Sequence, residues 1–142
     1  MFDTLYAQVG AALMVSVSAF AFIKGQDPER FGAGAYLLAW FATLLLQDDI
    51  GLYNNAPILF GIDVFVLIVF CGLSWKSANT WPVWAAALQL LPVLSHVMMA
   101  VDVRPPAASF YAIQNLASIG ILVAIALGTF WTWQERRAAG LE

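Results

Sequence analysis

Charged residues are scarce in this chain, and that scarcity limits the classes of protein it can form. Asp, Glu, Lys and Arg make up 11% of the 142 residues, whereas a typical soluble domain has roughly 25%. A soluble fold of this length needs a charged shell, which six basic and nine acidic residues cannot supply. The composition is 62% hydrophobic and predicts a single membrane domain that covers residues 1–142.

Basic residues, cysteine and catalytic motifs are also rare or absent. The net charge of −3 leaves no basic stripe to meet phosphates, so we expect no nucleic-acid partner. Cys71 is the only cysteine, which excludes a disulfide within the chain. Residues 1–8 lack the positive segment of a secretory signal, so the first apolar run is expected to be a membrane span. Because no phosphate loop, nucleophile motif or metal-ligand spacing is present, an enzyme is the less expected class.

Five long apolar runs make up most of the sequence. Most of them come near the ~20 residues that a helix needs to cross ~30 Å of hydrocarbon. The runs are continuous rather than alternating, which favours helices over strands. We therefore predict an all-α, polytopic bundle with spans at about residues 5–23, 31–47, 58–75, 83–101 and 110–133. The second run is the shortest, and it could instead be tilted or partly re-entrant.

The basic residues predict the orientation of this bundle. Cytoplasmic connections carry an excess of Lys and Arg in multi-pass proteins. An N-terminus outside and a C-terminus inside place Arg104 alone on the outer side. We expect a multi-pass membrane protein, in contact with the lipid bilayer and with other membrane subunits or copies of itself. The basic residues on the inner side are then Lys24, Arg30, Lys76, Arg136 and Arg137.

Several polar side chains lie inside the apolar runs, where hydrocarbon is expected. Asp63 is in the third run, His96 in the fourth, and Gln114 and Asn115 in the fifth. In the predicted topology each lies roughly 6–9 Å below the outer end of its helix. Embedded polar groups of this kind are candidate functional sites. The sequence thus predicts a polar layer in the outer leaflet, to which Gln89 and Gln8 also contribute.

Asp63 and His96 are the titratable members of this layer. They lie at one depth on consecutive antiparallel helices, so we predict that they form a pair, with Gln114 or Asn115 as the next member of the network. One interpretation is an outward-facing polar pocket centred on the pair. The other is an interhelical hydrogen-bond network that fixes packing, in which His96 is a packing histidine. No metal or cofactor is assigned. Zinc would need further ligands. Haem would need a second axial ligand, and the candidates for it lie on nearly the same helix turn as His96.

The outer connection after the second span carries two acidic residues, Asp48 and Asp49. We expect them in an acidic loop that could bind a cation or the basic surface of a partner. One of them could also complete a zinc site with Asp63 and His96, or both could simply be solvated.

The segment Trp75–Ala86, continued by Gln89 and His96, resembles a pattern in small uncharacterised polytopic membrane proteins of alphaproteobacteria. The resemblance covers about a third of the chain and implies a bacterial inner membrane. The function we expect is that of a small accessory or structural subunit in a homo-oligomer or larger membrane complex. The alternatives are a small oligomeric transporter or channel that uses the polar layer, and a membrane enzyme or cofactor-binding protein.

Overall fold

Five helices form the part of the protein that the computed structural model describes, which is residues 4–50, 56–101 and 106–141 without the side chains of residues 47–50 and 107. No strand occurs in these ranges, so the predicted all-α bundle is confirmed. Four of the helices, α1, α3, α4 and α5, are long and apolar enough to cross a membrane. The helices are α1 (Leu5–Lys24), α2 (Asp27–Ile50), α3 (Ala56–Lys76), α4 (Trp81–Ala100) and α5 (Ala107–Ala138).

The helices are arranged as a ring. Each helix packs against the next along the chain, α5 packs back against α1, and α2 also contacts α5 across the ring. Because short connections make neighbouring helices antiparallel, alternate termini meet at the same end of the bundle. We call the end that contains Lys24, Asp27, Lys76 and Trp81 the basic end. The opposite end, where α1 and α5 begin and α4 ends, is the cavity end.

Two boundaries of α2 differ from the predicted spans. The helix begins at Asp27, because the Glu29 carboxylate accepts a hydrogen bond of 2.9 Å from the Gln26 N–H and so caps the first turn. At its other end the helix continues to Ile50, since the first helix breaker in the sequence is Gly51. The backbone of Asp48 and Asp49 is therefore helical rather than part of a loop, and their side chains lie outside the described residues.

An aromatic core fills the half of the helix bundle that lies nearer the basic end. Trp81 is 4% exposed and its ring lies edge-on to Phe70, with 6.2 Å between the ring centroids. A Cβ atom on either Gly32 or Gly128 would overlap the Trp81 ring. These glycines let α2 and α5 approach the start of α4 closely. The core therefore fills the centre of the helix bundle at this level. Met14, Val66, Ile121, Leu122 and Ile125 complete this core.

A buried carboxylate holds the basic end together. Glu29 is 0% exposed, and its Oε1 accepts hydrogen bonds of 2.9 Å from Asn79 Nδ2 and of 2.9 Å from Trp81 Nε1. With the Gln26 N–H, three donors from the α1–α2 and α3–α4 connections converge on this one side chain. Nearby, Arg136 Nη1 donates to the carbonyl of Lys24 at 3.3 Å, which ties the end of α5 to the end of α1.

Candidate functional site

A cavity of about 360 Å³ occupies the cavity end of the bundle. All five helices line it, each with the half that lies at that end. The cavity falls within the range of roughly 300–1,000 Å³ that small-molecule sites have. Its mouth includes Tyr6 and Tyr111, which are 58% and 42% exposed. Towards the basic end it stops at Met14, Tyr36, Val66 and Leu122, above the Trp81 core.

Asp63 and His96 lie against each other in the wall of this cavity. His96 Nε2 is 3.1 Å from Asp63 Oδ2, so the predicted contact between the two helices is present. Gln89 Nε2 donates to Asp63 Oδ1 at 3.1 Å and to the Asp63 main-chain carbonyl at 3.2 Å. Gln89 and His96 lie two helical turns apart on the buried face of α4. Because of this spacing, Gln89 contacts Oδ1 of Asp63 and His96 contacts Oδ2.

The carboxylate faces the cavity, and the imidazole lies behind it. The Asp63 side chain is 19% exposed and the His96 side chain 3%. The imidazole packs between two aromatic rings, with centroid distances of 6.0 Å to Phe60 and 5.2 Å to Phe110. Solutes that enter the cavity therefore meet Asp63 before they meet His96.

His96 Nδ1 is buried and has no hydrogen-bond partner in the part of the chain that the structure describes. A buried N–H without an acceptor is costly, so the polar contact of the ring is made at Nε2, which lies against Asp63 Oδ2. With Gln89 at Oδ1, each carboxylate oxygen of Asp63 has one side-chain partner from α4.

The predicted residues of α5 line the same cavity but do not join the pair. Tyr111, Gln114, Asn115 and Ser118 share one face of α5 and all contribute to the lining. Among the described hydrogen bonds, none links Gln114 or Asn115 to Asp63 or His96. The prediction that Gln114 or Asn115 would be the next member of the network is thus wrong, because Gln89 takes that place.

Of the remaining predicted residues, one is exposed at the surface, and two have side chains outside the described part of the chain. Gln8 is an exposed residue of α1 and is not part of the cavity lining. The side chains of Asp48 and Asp49 lie outside the described residues, so the acidic cation or partner site stays a prediction.

Sequence reasoning missed the hydrogen bond at the floor of the cavity. The Tyr36 hydroxyl and the Ser118 hydroxyl are 2.7 Å apart and connect α2 to α5. Tyr36 could have been identified as a candidate because it is a tyrosine in the middle of an otherwise apolar run. Ser118 could have been identified because it lies on the same face of α5 as Gln114 and Asn115.

The charge of the lining is as informative as its shape. Among the described residues that line the cavity, Asp63 is the only acidic one, and neither Lys nor Arg occurs. Within the described side chains, no group of three His, Cys, Asp or Glu residues lies close enough to hold a metal ion. The arrangement can therefore hold a solute by one carboxylate, several neutral polar groups and aromatic rings.

Comparisons with protein families, with curated proteins and with solved structures find no match to this chain. None of them bears on the resemblance of Trp75–Ala86 to alphaproteobacterial membrane proteins, which stays a prediction. What the protein does must therefore be inferred from the chemistry of the cavity.

Proposed function

We propose that this protein is a small transporter of a bacterial inner membrane, which takes up a solute into the cavity from the outer side. The observation that carries the proposal is the Asp63 carboxylate. It is 19% exposed at the wall of a cavity of about 360 Å³, inside helices that are apolar enough to span a membrane. A carboxylate at this depth is costly, and acidic residues within membrane spans mark solute and ion pathways.

A channel fits the structure less well than a transporter. The cavity ends above the core formed by Phe70 and Trp81, which are 0% and 4% exposed. Among the described residues, the lining of the cavity does not extend to the basic end. A solute can therefore pass only if the helices rearrange around it, as alternating access requires.

The proposed topology has five spans, with the cavity end outside. The 24 residues of α2 extend roughly 36 Å at ~1.5 Å per residue, which exceeds the ~30 Å of hydrocarbon. Lys24 and Arg137 both lie over the Trp133 ring, 5.2 Å from its centroid in each case. Basic side chains with an interfacial tryptophan are typical of the cytoplasmic boundary. This supports a cytoplasmic basic end.

Reporter fusions test this topology. A reporter that is active only in the cytoplasm is expected to be active when fused after Glu142 and inactive when fused before Met1 or inserted in residues 51–55. Five spans place the two termini on opposite sides of the membrane, whereas four spans, without α2, would place them on the same side. Equal activity at the two termini would contradict the five-span arrangement.

Solute uptake tests the transport proposal with a matched pair of glycine variants. A Cβ atom on Gly10 or on Gly72 meets no atom within 4 Å, so both sites accept a larger side chain. Gly10 lines the cavity, whereas Gly72 is an exposed residue of α3. We expect Gly10→Phe to fill the cavity and abolish uptake, and Gly72→Phe to leave uptake unchanged.

The measurement is uptake by proteoliposomes from a mixed panel of amines, amino acids, sugars and carboxylates, followed by mass spectrometry. At least one solute should enter with the wild type and with Gly72→Phe but not with Gly10→Phe. If no solute of the panel enters, or if Gly10→Phe is as active as the wild type, the transport proposal fails. A membrane partner that co-purifies in mild detergent would then favour the accessory-subunit role expected from the sequence.

A further inference from the structure

We propose that the solute is a small organic cation, an amine or a quaternary ammonium ion, whose charged group binds at Asp63. This inference rests on the proposed function, because it names the class of solute that the cavity accepts. Three features of the cavity carry it: its charge, the free acceptor sites of the carboxylate, and the aromatic rings in the lining.

The charge of the cavity favours a cation. Asp63 receives hydrogen bonds from Gln89 and His96, and the described lining holds no Lys or Arg that could pair with the carboxylate. A buried charge is stable only when it is paired or well hydrogen-bonded. A monovalent cation in the cavity would pair with Asp63. An anion would meet the carboxylate with no Lys or Arg in the described lining to offset the repulsion.

The carboxylate has room for a further partner. Its oxygens offer about four acceptor positions, while Oδ1 receives one side-chain hydrogen bond and Oδ2 one. The exposed part of the Asp63 side chain faces the cavity. An amine can therefore donate to Asp63 without displacing Gln89 or His96, and a quaternary ammonium group, which has no N–H, can form an ion pair on the same open side of the carboxylate.

The remaining lining suits an organic cation better than a metal ion. Aromatic rings from three of the five helices border the cavity, and a cation over an aromatic face is attracted by the ring quadrupole. A hard metal ion requires several anionic or carbonyl oxygens, and the described residues provide no group of three acidic, His or Cys side chains. The rings in question belong to Tyr6, Tyr36, Trp40, Phe110 and Tyr111.

The probe for this inference is choline, compared with its uncharged analogue 3,3-dimethyl-1-butanol, which has nearly the same shape. The full chain in lipid nanodiscs should bind choline in equilibrium dialysis, and it should bind the uncharged analogue much less. Asp63→Asn is expected to weaken choline binding by roughly ten- to a hundredfold, since the ion pair between the trimethylammonium group and the carboxylate is lost. Glu135→Gln removes an exposed negative charge at the other end of α5 and should leave choline binding unchanged.

The glycine pair provides a test that keeps Asp63 in place. Choline binding should be lost in Gly10→Phe and retained in Gly72→Phe. Equal binding of choline and the uncharged analogue, or full choline binding by folded Asp63→Asn, would overturn the inference. The two proposals can also fail separately. If choline does not bind, but the uptake panel reveals a neutral or anionic solute whose uptake is blocked by Gly10→Phe, the organic-cation inference fails and the transport proposal stands. If neither choline nor any panel solute interacts, both fail.

Discussion

Replacing Glu29 with alanine is expected to lower the free energy of unfolding by about 3 kcal/mol or more. Three donors, the Gln26 N–H, Asn79 Nδ2 and Trp81 Nε1, lose their shared acceptor. A buried donor left without a partner costs ~1–3 kcal/mol, and the Trp81 hydrogen bond is fully buried. The loss can be measured by SDS titration of the protein in mixed micelles.

The matched control for this variant is Glu135→Ala. Glu135 is also acidic and lies at the basic end, but its side chain is exposed. We expect no measurable change in stability for this variant. Glu29→Gln should fall between the two, because an amide keeps one acceptor oxygen for Asn79 and Trp81 and loses the other. Equal stability of Glu29→Ala and Glu135→Ala would show that the Glu29 hydrogen bonds do not hold the basic end together.

The role of Glu29 could not be predicted from the sequence. Glu29 lies in the polar segment 24–30 between two apolar runs, and such segments are usually solvated connections. Its partners Asn79 and Trp81 are 50 and 52 residues away along the chain. Only the packing of two separate connections against each other creates the buried site, and no local pattern records that packing.

The depth of the polar layer could be predicted because it follows from the helical rise. Asp63 and His96 lie at similar distances from the ends of consecutive helices, and a rise of ~1.5 Å per residue converts those distances into one level. The contact between their side chains followed from that level and the short connection. The apolar runs likewise predicted a helical bundle, since continuous hydrophobicity over ~20 residues admits few other structures.

Which faces of the helices meet could not be predicted to the same extent. Helices such as α1 and α3 are apolar around their whole circumference, so hydropathy does not indicate their rotation. This explains why Gln8 is exposed although its depth matched the polar layer. It also explains why Gln89, rather than Gln114, joins His96 as a partner of Asp63. Helix rotation is decided by small residues such as Gly32 and Gly128, which admit Trp81 between α2 and α5.

Asp63→Asn and His96→Gln are each expected to lower the free energy of unfolding by about 1–3 kcal/mol, the cost of leaving a buried partner unsatisfied. The two groups are 3.1 Å apart, so their effects should not add. The double variant should cost less than the sum of the single variants by at least about 0.5 kcal/mol. Unfolding in mixed micelles, with all four proteins in one double-mutant cycle, provides the measurement.

The size of the coupling distinguishes the two interpretations of this pair. An interhelical hydrogen bond that only fixes packing is worth ~0.6 kcal/mol on average in a membrane protein, whereas hydrogen bonds to a charged group contribute ~1.5–3 kcal/mol. A coupling in the higher range would support an ionised Asp63, which cation binding in the cavity requires. The control cycle combines His96→Gln with Glu29→Gln, whose sites lie at opposite ends of the bundle, and should be additive. Additive effects of Asp63→Asn and His96→Gln as well would show that the contact contributes nothing to stability and that His96 is held by Phe60 and Phe110 alone.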